Sequence, residues 1–229
     1  MQSAQQIQSF YSALFAAYGA QHWWPAKTRF EVIAGAYLTQ NTSWKNVEHA
    51  LLNLRKAGAL SVKGIRDIDH TRLEDLLRPS GYFRQKAERL KTFVAYLDNK
   101  YGGSLSRMFA QPTSQLRAEL LQLDGVGPET ADSILLYAGG HPTFVVDVYT
   151  RRILDRHGVL PFATKYDELK TWLEQAFAHH ESGERTRYFN ELHALIVAVG
   201  KNHCNSAAKC DGCPLQHFLP NHTRSFVTA

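Results

Sequence analysis

Apolar side chains recur every three to four residues along almost the whole chain, and no stretch alternates strictly between apolar and polar positions. The first spacing is typical of helices that bury one face, whereas alternation indicates strands. The pattern therefore predicts an all-α fold. The predicted helices cover residues 7–18, 28–39, 43–58, 71–78, 82–101, 114–123, 128–138, 147–156, 166–178 and 185–199.

Capping residues support several of these boundaries. Ser43 is a predicted N-cap, and Thr71 with Glu74 forms the pattern of a capping box. The pair Gly102-Gly103 follows a long amphipathic segment, as expected of a helix stop. Pro128 suits the first turn of a helix, where its nitrogen needs no hydrogen bond.

The composition is that of a soluble globular protein. Hydrophobic residues make up 44% of the 229 positions and charged residues 21%, which excludes a disordered chain. The longest apolar stretch, around 194–199, is far shorter than the roughly 20 residues that cross a bilayer, so no membrane association is predicted. Because the first residues lack a basic patch and an apolar segment, we predict no secretory signal and expect a cytoplasmic location.

The net charge of +5 permits a polyanionic partner but does not establish one. The charge is spread, since residues 29–137 contain 15 basic and 12 acidic side chains and the rest of the chain contains 11 and 9. Any face that binds nucleic acid must therefore be assembled by folding.

A glycine-rich turn between two predicted helices is the most specific motif of the chain. Residues 123–131 are Leu-Asp-Gly-Val-Gly-Pro-Glu-Thr-Ala, with Gly125, Val126 and Gly127 at the centre. Two glycines allow a tight turn and a close approach to a phosphate, and the following helix directs its first N–H groups outward. Such a loop binds a DNA backbone without reading its sequence. The alternative is an ordinary turn between helices.

Asp147 follows the apolar run Phe144-Val145-Val146 at the start of a predicted helix, about twenty residues beyond the turn. This position alone favours an N-cap. In combination, however, the turn, the spacing and the Val-Asp pair resemble the endonuclease III superfamily of helix-hairpin-helix DNA glycosylases over most of the chain. Further matches lie at residues 38–42, 81–88 and 101–103 and in the cysteine-bearing C-terminal segment.

The resemblance implies two helical lobes with a DNA-binding cleft between them. Residues 29–137 are expected to form a barrel lobe that carries the hairpin, and residues 1–28 and 138–229 a second lobe. Double-stranded DNA with a damaged base is the implied partner, and Asp147 is implied to be essential to base excision. The hairpin residues implied to contact DNA are Gly125, Val126, Gly127, Glu129 and Thr130.

Glu129 departs from the superfamily pattern. Members that also cleave the DNA backbone have a lysine here, within Gly-Val-Gly-x-Lys-Thr-Ala. A carboxylate cannot form the Schiff base that β-elimination needs, so lyase activity is predicted to be absent and a monofunctional glycosylase remains. Glu129 also suits the first turn of a helix, and both interpretations can hold together.

The three cysteines argue against a disulfide framework and raise the question of a metal site. Superfamily members with a [4Fe–4S] cluster have the pattern C-x6-C-x2-C-x5-C, whereas this chain has Leu219 in the fourth place. We therefore predict no cofactor and a metal-free remnant. The alternative is a zinc site completed by His203 or His217. The candidate ligands are the three cysteines, Cys204, Cys210 and Cys213.

Clustered aromatic residues predict a base pocket. Trp23 and Trp24 precede Pro25, and Trp44 follows nearby. Flat aromatic faces suit an extruded base and attract the positive charge of N3-methyladenine or N7-methylguanine, although a single tryptophan is more often part of a core. With residues 40–42 and the missing hairpin lysine, these tryptophans resemble the 3-methyladenine DNA glycosylase branch. There, the residues matching Trp24 and Trp44 sandwich the base, with Trp23 and Pro25 as neighbours.

Two polar residues complete the predicted site. Gln40 matches the residue that fills the gap left in the duplex by the extruded base, and a polar helix C-cap is the alternative interpretation. Lys201 precedes the cysteine segment and is predicted to line the pocket, with no assigned role.

The leading hypothesis is a monomeric, monofunctional DNA glycosylase of base excision repair that hydrolyses the N-glycosidic bond of alkylated purines such as 3-methyladenine. One alternative keeps the fold but changes the base to an oxidised pyrimidine or a mismatched adenine. A second alternative is a helix-hairpin-helix module that only binds DNA. Asp147 favours an enzyme, since a binding module requires no such carboxylate.

Overall fold

The computed structural model describes residues 2–24 and 26–220, with side chains from residue 5 onward in the first helix. These residues form twelve α-helices and no named β-strand, which confirms the predicted all-α fold. No described helix is long and apolar enough to cross a membrane. The helices are α1 (Gln2–Tyr18), α2 (Arg29–Leu38), α3 (Trp44–Lys56), α4 (Val62–Asp67), α5 (His70–Leu77), α6 (Phe83–Tyr101), α7 (Leu105–Phe109), α8 (Thr113–Leu120), α9 (Pro128–Ser133), α10 (Val148–Arg156), α11 (Tyr166–Gln175) and α12 (Ser182–Asn202).

Packing separates the chain into two compact units. Residues 24–141, here called the hairpin unit, contain α2 to α9. The second, here called the terminal unit, combines the chain up to residue 23 with the chain from residue 142, and it contains α1 and α10 to α12. The chain therefore passes from one unit to the other twice, between Trp23 and Trp24 and between His141 and Pro142.

The hairpin unit is built around α2, whose residues from Phe30 to Leu38 are all buried. A helix that is apolar on every side must be enclosed by other elements. Helices α3, α6 and α9 pack against it. Thr28 caps α2 by accepting from the backbone nitrogen of Glu31 at 3.1 Å. This rigid central helix places Trp24 before its first turn and Gln40 after its last.

The core of the terminal unit is formed by α1, α10, α11 and α12. From α1 it receives Ile7, Phe10 and Leu14, all at most 2% exposed. The 21-residue α12 contacts both α1 and α10. This packing brings the middle of α12 against the N-terminus of α10, where Asp147 lies.

One predicted helix start is wrong. The structure begins α5 at His70, and its N-cap is Asp69, whose carboxylate accepts from the backbone nitrogen of Arg72 at 3.0 Å. Thr71 therefore lies inside the helix. The nearby aspartate has displaced the threonine that the capping-box pattern indicated, because both residue types are good N-caps and only one can occupy the position.

The predicted helix over residues 128–138 is present in two hydrogen-bonding patterns. It starts as α9 at Pro128 and continues without a break as a π-helical segment, Ile134–Gly139. A π-helical turn bonds each residue to the one five positions on, and such turns are rare and often lie at functional sites. The segment ends at Gly140, which has a φ of 72°.

Candidate functional site

The predicted hairpin joins α8 to α9 in the hairpin unit. Gly125 has a φ of 71°, and a β-carbon there would lie 1.9 Å from Nε of Arg89, so both the backbone and the space require glycine. Gly127 is exposed, is extended at φ −86°, and has no atom within 4 Å of the place of a β-carbon. Buried Val126 anchors the loop between them. The open side of Gly127 leaves the N-terminus of α9 accessible to a phosphate.

An ion pair fixes the two hairpin helices to each other. Nε and Nη2 of Arg117 on α8 donate to the two carboxylate oxygens of Asp132 on α9, at 2.9 and 3.1 Å. Asp132 is fully buried, and the side chain of Arg117 is 19% exposed. This bidentate geometry is the strong form of an ion pair. No sequence pattern indicated it, because the partners are 15 residues apart on different helices.

Gln40 is bound to the hairpin. Its Nε2 donates to the main-chain oxygen of Gly125 and to Oγ1 of Thr130, both at 2.9 Å. Its Oε1 accepts from Nη1 of Arg89 at 2.9 Å. Nε of Arg89 lies 3.7 Å from a carboxylate oxygen of Asp124 in the same turn. Both ends of the Gln40 amide therefore serve to hold the hairpin.

Glu129 and Thr130, the other two hairpin residues predicted to contact DNA, differ in exposure. Glu129 lies in the first turn of α9 and is exposed, which places its negative charge at the favourable end of the helix. Thr130 is buried, and it accepts from Gln40. Thr130 therefore belongs to the frame of the hairpin.

Three aromatic rings meet in the hairpin unit. The centroids of Trp24 and Trp44 are 5.1 Å apart at 78°, and those of Trp24 and Tyr137 are 5.3 Å apart at 55°. A β-carbon at Gly35 would lie 2.9 Å from Trp24, so this glycine gives the indole its place on α2. Nε1 of Trp44 donates to Glu48 at 3.0 Å. Tyr137, which projects from the π-helical segment, was not predicted.

The edge-to-face contact bears on the predicted sandwich. A base held between two rings needs both faces parallel and separated, whereas the edge of one indole here meets the face of the other. Insertion of a base between Trp24 and Trp44 thus requires rotation of one side chain. The three rings, as they lie, form walls at steep angles to one another.

Two other predicted pocket residues, Trp23 and Lys201, lie in the terminal unit. Nζ of Lys201 is 5.8 Å from the centroid of the Trp23 ring, within the range of a cation–π contact. Lys201 is exposed in the last turn of α12. Pro25 lies outside the described residues.

Asp147 is the N-cap of α10 and a largely buried carboxylate, with 12% of its side chain exposed. Its Oδ1 accepts from the backbone nitrogen and Oγ1 of Thr150, at 2.7 and 2.8 Å. Its Oδ2 lies 3.7 Å from Nε2 of His193. Burial alone would raise the pKa of Asp147, but the contacts of His193 and Thr150 outweigh it and hold the pKa below the usual value. The carboxylate is therefore ionised at neutral pH.

His193 is the residue of this cluster that sequence reasoning missed. It lies on α12 and is 6% exposed. A single histidine within an apolar helical pattern usually indicates a core position. The packing of α12 on α10 places His193 beside Asp147, which lies 46 positions earlier in the chain. No sequence pattern indicates a contact over that separation.

Cys204, Cys210 and Cys213 line one small cavity, and Leu219 lines it where the superfamily's cluster pattern has its fourth cysteine. Sγ of Cys204 accepts from Nη1 of Arg156 at 3.2 Å, and the same guanidinium donates to the main-chain oxygens of Asn205 and Ser206 at 3.0 and 2.9 Å. In the alternative zinc site, Nδ1 of His203 lies 3.1 Å from the main-chain oxygen of Lys209. Among the residues that the structure describes, no three His, Cys, Asp or Glu side chains are grouped to hold a metal ion.

Comparison with known families identifies the fold. The profile of the HhH-GPD superfamily of base excision DNA repair proteins matches residues 34–179, which include the hairpin and Asp147. The chain belongs to this superfamily. The predicted resemblance is thereby confirmed, and this HhH-GPD protein is a DNA repair glycosylase by family.

Its relatives support the assignment. It is 45% identical to a provisionally named DNA repair glycosylase of Methanocaldococcus jannaschii, over 93% of this chain and 94% of the relative. It is 34% identical to endonuclease III of Thermotoga maritima, over 84% of this chain and 81% of the relative. Among solved structures, the 3-methyladenine DNA glycosylase of H. pylori bound to 1,N6-ethenoadenine aligns with a TM-score of 0.75 and 27% identity, covering 87% of this chain and 97% of that one.

Proposed function

We propose that this HhH-GPD protein is a monofunctional DNA glycosylase that removes alkylated, cationic purines such as 3-methyladenine by hydrolysis of the N-glycosidic bond. The observation that carries the proposal is Asp147, a buried carboxylate that stays ionised at the start of α10. Such a carboxylate is costly to keep in an apolar setting, and it is suited to stabilising positive charge nearby.

Asp147 acts on the sugar. As the base departs, positive charge develops at C1′, and the Oδ2 side of the carboxylate stabilises it. The same group orients a water for attack at C1′ and accepts its proton. A base that is already cationic leaves as a neutral molecule, so little acid catalysis is required. The proposed mechanism therefore needs no second carboxylate besides Asp147 to act as an acid.

The aromatic rings provide the preference for a cationic base. Faces of Trp24, Trp44 and Tyr137 offer negative quadrupoles to a flat, positively charged ring, and the undamaged base has no such charge. The similarity to the H. pylori glycosylase, which carries 3-methyladenine in its name and was solved with 1,N6-ethenoadenine, supports a modified purine as substrate.

The hairpin binds the DNA backbone and takes no part in breaking bonds. Gly125 and Gly127 let a phosphate approach the amide groups at the start of α9. Glu129 provides no amine for a Schiff base with the sugar, so the product is an intact abasic strand. The protein acts as a monomer on duplex DNA and needs no metal or cofactor for this step.

The test is release of 3-methyladenine from methylated duplex DNA by the wild type and by Asp147→Asn. We expect release by the wild type and a loss of about 100-fold or more in the variant, because the neutral amide neither stabilises the sugar cation nor accepts a proton. Asp69→Asn is the matched control, since Asp69 is also an N-cap and accepts from a backbone nitrogen. Equal release by wild type and Asp147→Asn contradicts the mechanism. Release by neither contradicts the substrate class and favours a binding module.

A further inference from the structure

The two oxygens of Asp147 have different environments. Oδ1 accepts two hydrogen bonds from Thr150, which is the ordinary work of an N-cap. Oδ2 faces Nε2 of His193 at 3.7 Å. Both side chains of this pair are largely buried, at 12% and 8% exposure. Helix capping therefore explains the contacts of Oδ1, whereas Oδ2 lies opposite His193.

The ring of His193 rests on a firm apolar support. Phe144 meets it edge to face, with centroids 6.2 Å apart at 90°. Phe144 in turn packs on Phe189, one turn earlier on α12, at 5.8 Å and 87°. Because both phenylalanines are fully buried, the imidazole has little freedom to move away from the carboxylate.

Other charged groups near the start of α10 have different partners. Arg151 donates to the main-chain oxygens of Phe162 and Thr164, and Arg152 lies over the ring of Tyr149. On α11, the hydroxyl of Tyr166 accepts from the backbone nitrogen of Val146. Within the described part of the terminal unit, His193 is thus the titratable side chain paired with Asp147.

We propose that His193 is a positioning residue for Asp147, which holds Oδ2 in the orientation required at C1′ and keeps the carboxylate ionised. The proposal rests on the proposed function, since it assigns a residue that acts through Asp147. Sequence pattern gives His193 no such role, and the role follows from the packing of α12 on α10.

The experiment compares His193→Leu and His193→Gln with the wild type in release of 3-methyladenine from methylated DNA, across acidic to neutral pH. In the leucine variant we expect kcat to fall about tenfold or more, with KM changed less than about twofold, because DNA binding is untouched. The pKa of Asp147 rises when the imidazole is removed, so the acid limb of the kcat profile moves to higher pH by about one unit. Glutamine retains an N–H donor without a charge, so it restores part of kcat and leaves the acid limb displaced.

His180→Leu is the matched control, because His180 pairs with Glu184 at 3.4 Å and has no contact with Asp147. It should leave kcat and the acid limb unchanged. A wild-type pH profile in His193→Leu, with Asp147→Asn inactive, overturns the role of His193 and leaves the proposed function standing. Full activity of Asp147→Asn overturns the proposed function itself. If the leucine variant does not fold, His193→Gln decides, since an undisplaced acid limb in that variant overturns the proposal.

Discussion

The side-chain amide of Gln40 donates to the main-chain oxygen of Gly125 at 2.9 Å, which links the end of α2 to the first glycine of the hairpin. With Arg89 on its oxygen and Thr130 on its nitrogen, Gln40 is fully engaged within the hairpin unit. The sequence predicts that Gln40 fills the gap left by an extruded base. To do so, its amide must exchange these contacts for contacts to DNA.

Replacement of Gln40 by alanine separates the two roles. If Gln40 holds the hairpin, affinity falls about fivefold for undamaged duplex and equally for duplex with an abasic site. Both duplexes are bound through the same hairpin, and ~1 kcal/mol of hydrogen bonding that supports it is lost. Fluorescence anisotropy with both duplexes measures this, and Gln111→Ala is the control, because Gln111 is a partly buried glutamine bonded to the main-chain oxygen of Arg107. A loss confined to the abasic duplex supports the gap-filling role instead.

Glu129 determines the expected absence of lyase chemistry. Borohydride treatment during the reaction should trap no covalent complex with the wild type, because the hairpin lacks an amine. Glu129→Lys places a primary amine in the first turn of α9 and should produce a trapped band on a denaturing gel. Glu129→Gln controls for loss of the charge and should trap nothing. A wild-type adduct would show that another amine performs the lyase step.

Glu119 on α8 is expected to make stability depend on pH. Burial raises its pKa, but Lys100, Tyr101, Tyr96 and Gln115 outweigh burial and lower the pKa from 4.5 to about 2. The folded pKa lies below the unfolded one, so the stabilisation is complete above about pH 4.5 and is lost as pH falls towards about 2.

Glu119→Gln should therefore lower the free energy of unfolding by about 1–3 kcal/mol at neutral pH, and the difference should shrink in acid. Urea denaturation at several pH values measures it. Glu88→Gln changes an exposed glutamate on α6 and serves as the control. A difference that persists unchanged in acid contradicts the assignment.

The cysteine segment should be stable without metal. Arg156 bonds Cys204, Asn205 and Ser206, and these contacts hold the segment that a cluster holds elsewhere in the superfamily. We expect the purified protein to contain no stoichiometric iron or zinc by elemental analysis. Dialysis against a chelator should change the free energy of unfolding by less than about 0.5 kcal/mol, whereas a structural zinc contributes about 10 kcal/mol or more. Bound metal in a molar ratio would contradict this.

Periodicity was sufficient for most of the long helices because they bury one face, and a repeated spacing over ten or more residues is visible in sequence. It was insufficient for α4 and α7, of six and five residues, which are too short to repeat a pattern. Periodicity could not predict the π-helical turn either, since α and π hydrogen bonding differ in the backbone and leave the apolar positions unchanged.

The candidate site shows the same division. Gly125 and Asp147 could be singled out in the sequence because local geometry dictates their residue types, and the structure shows a positive φ at the first and a helix start at the second. His193 and the Arg117–Asp132 pair were missed because their partners come from other helices. Contacts between distant segments are set by packing, and a single sequence does not display them.

The helical run that begins after Gly127 continues through α9 and the π-helical segment to Tyr137. One continuous helical rod therefore joins the hairpin to the contact between Tyr137 and Trp24. Each residue along such a rod advances the side chain by roughly 100°. Gain or loss of one residue between these points would turn the Tyr137 ring away from Trp24 even if every other side chain were kept. In evolution, this stretch must therefore keep its length.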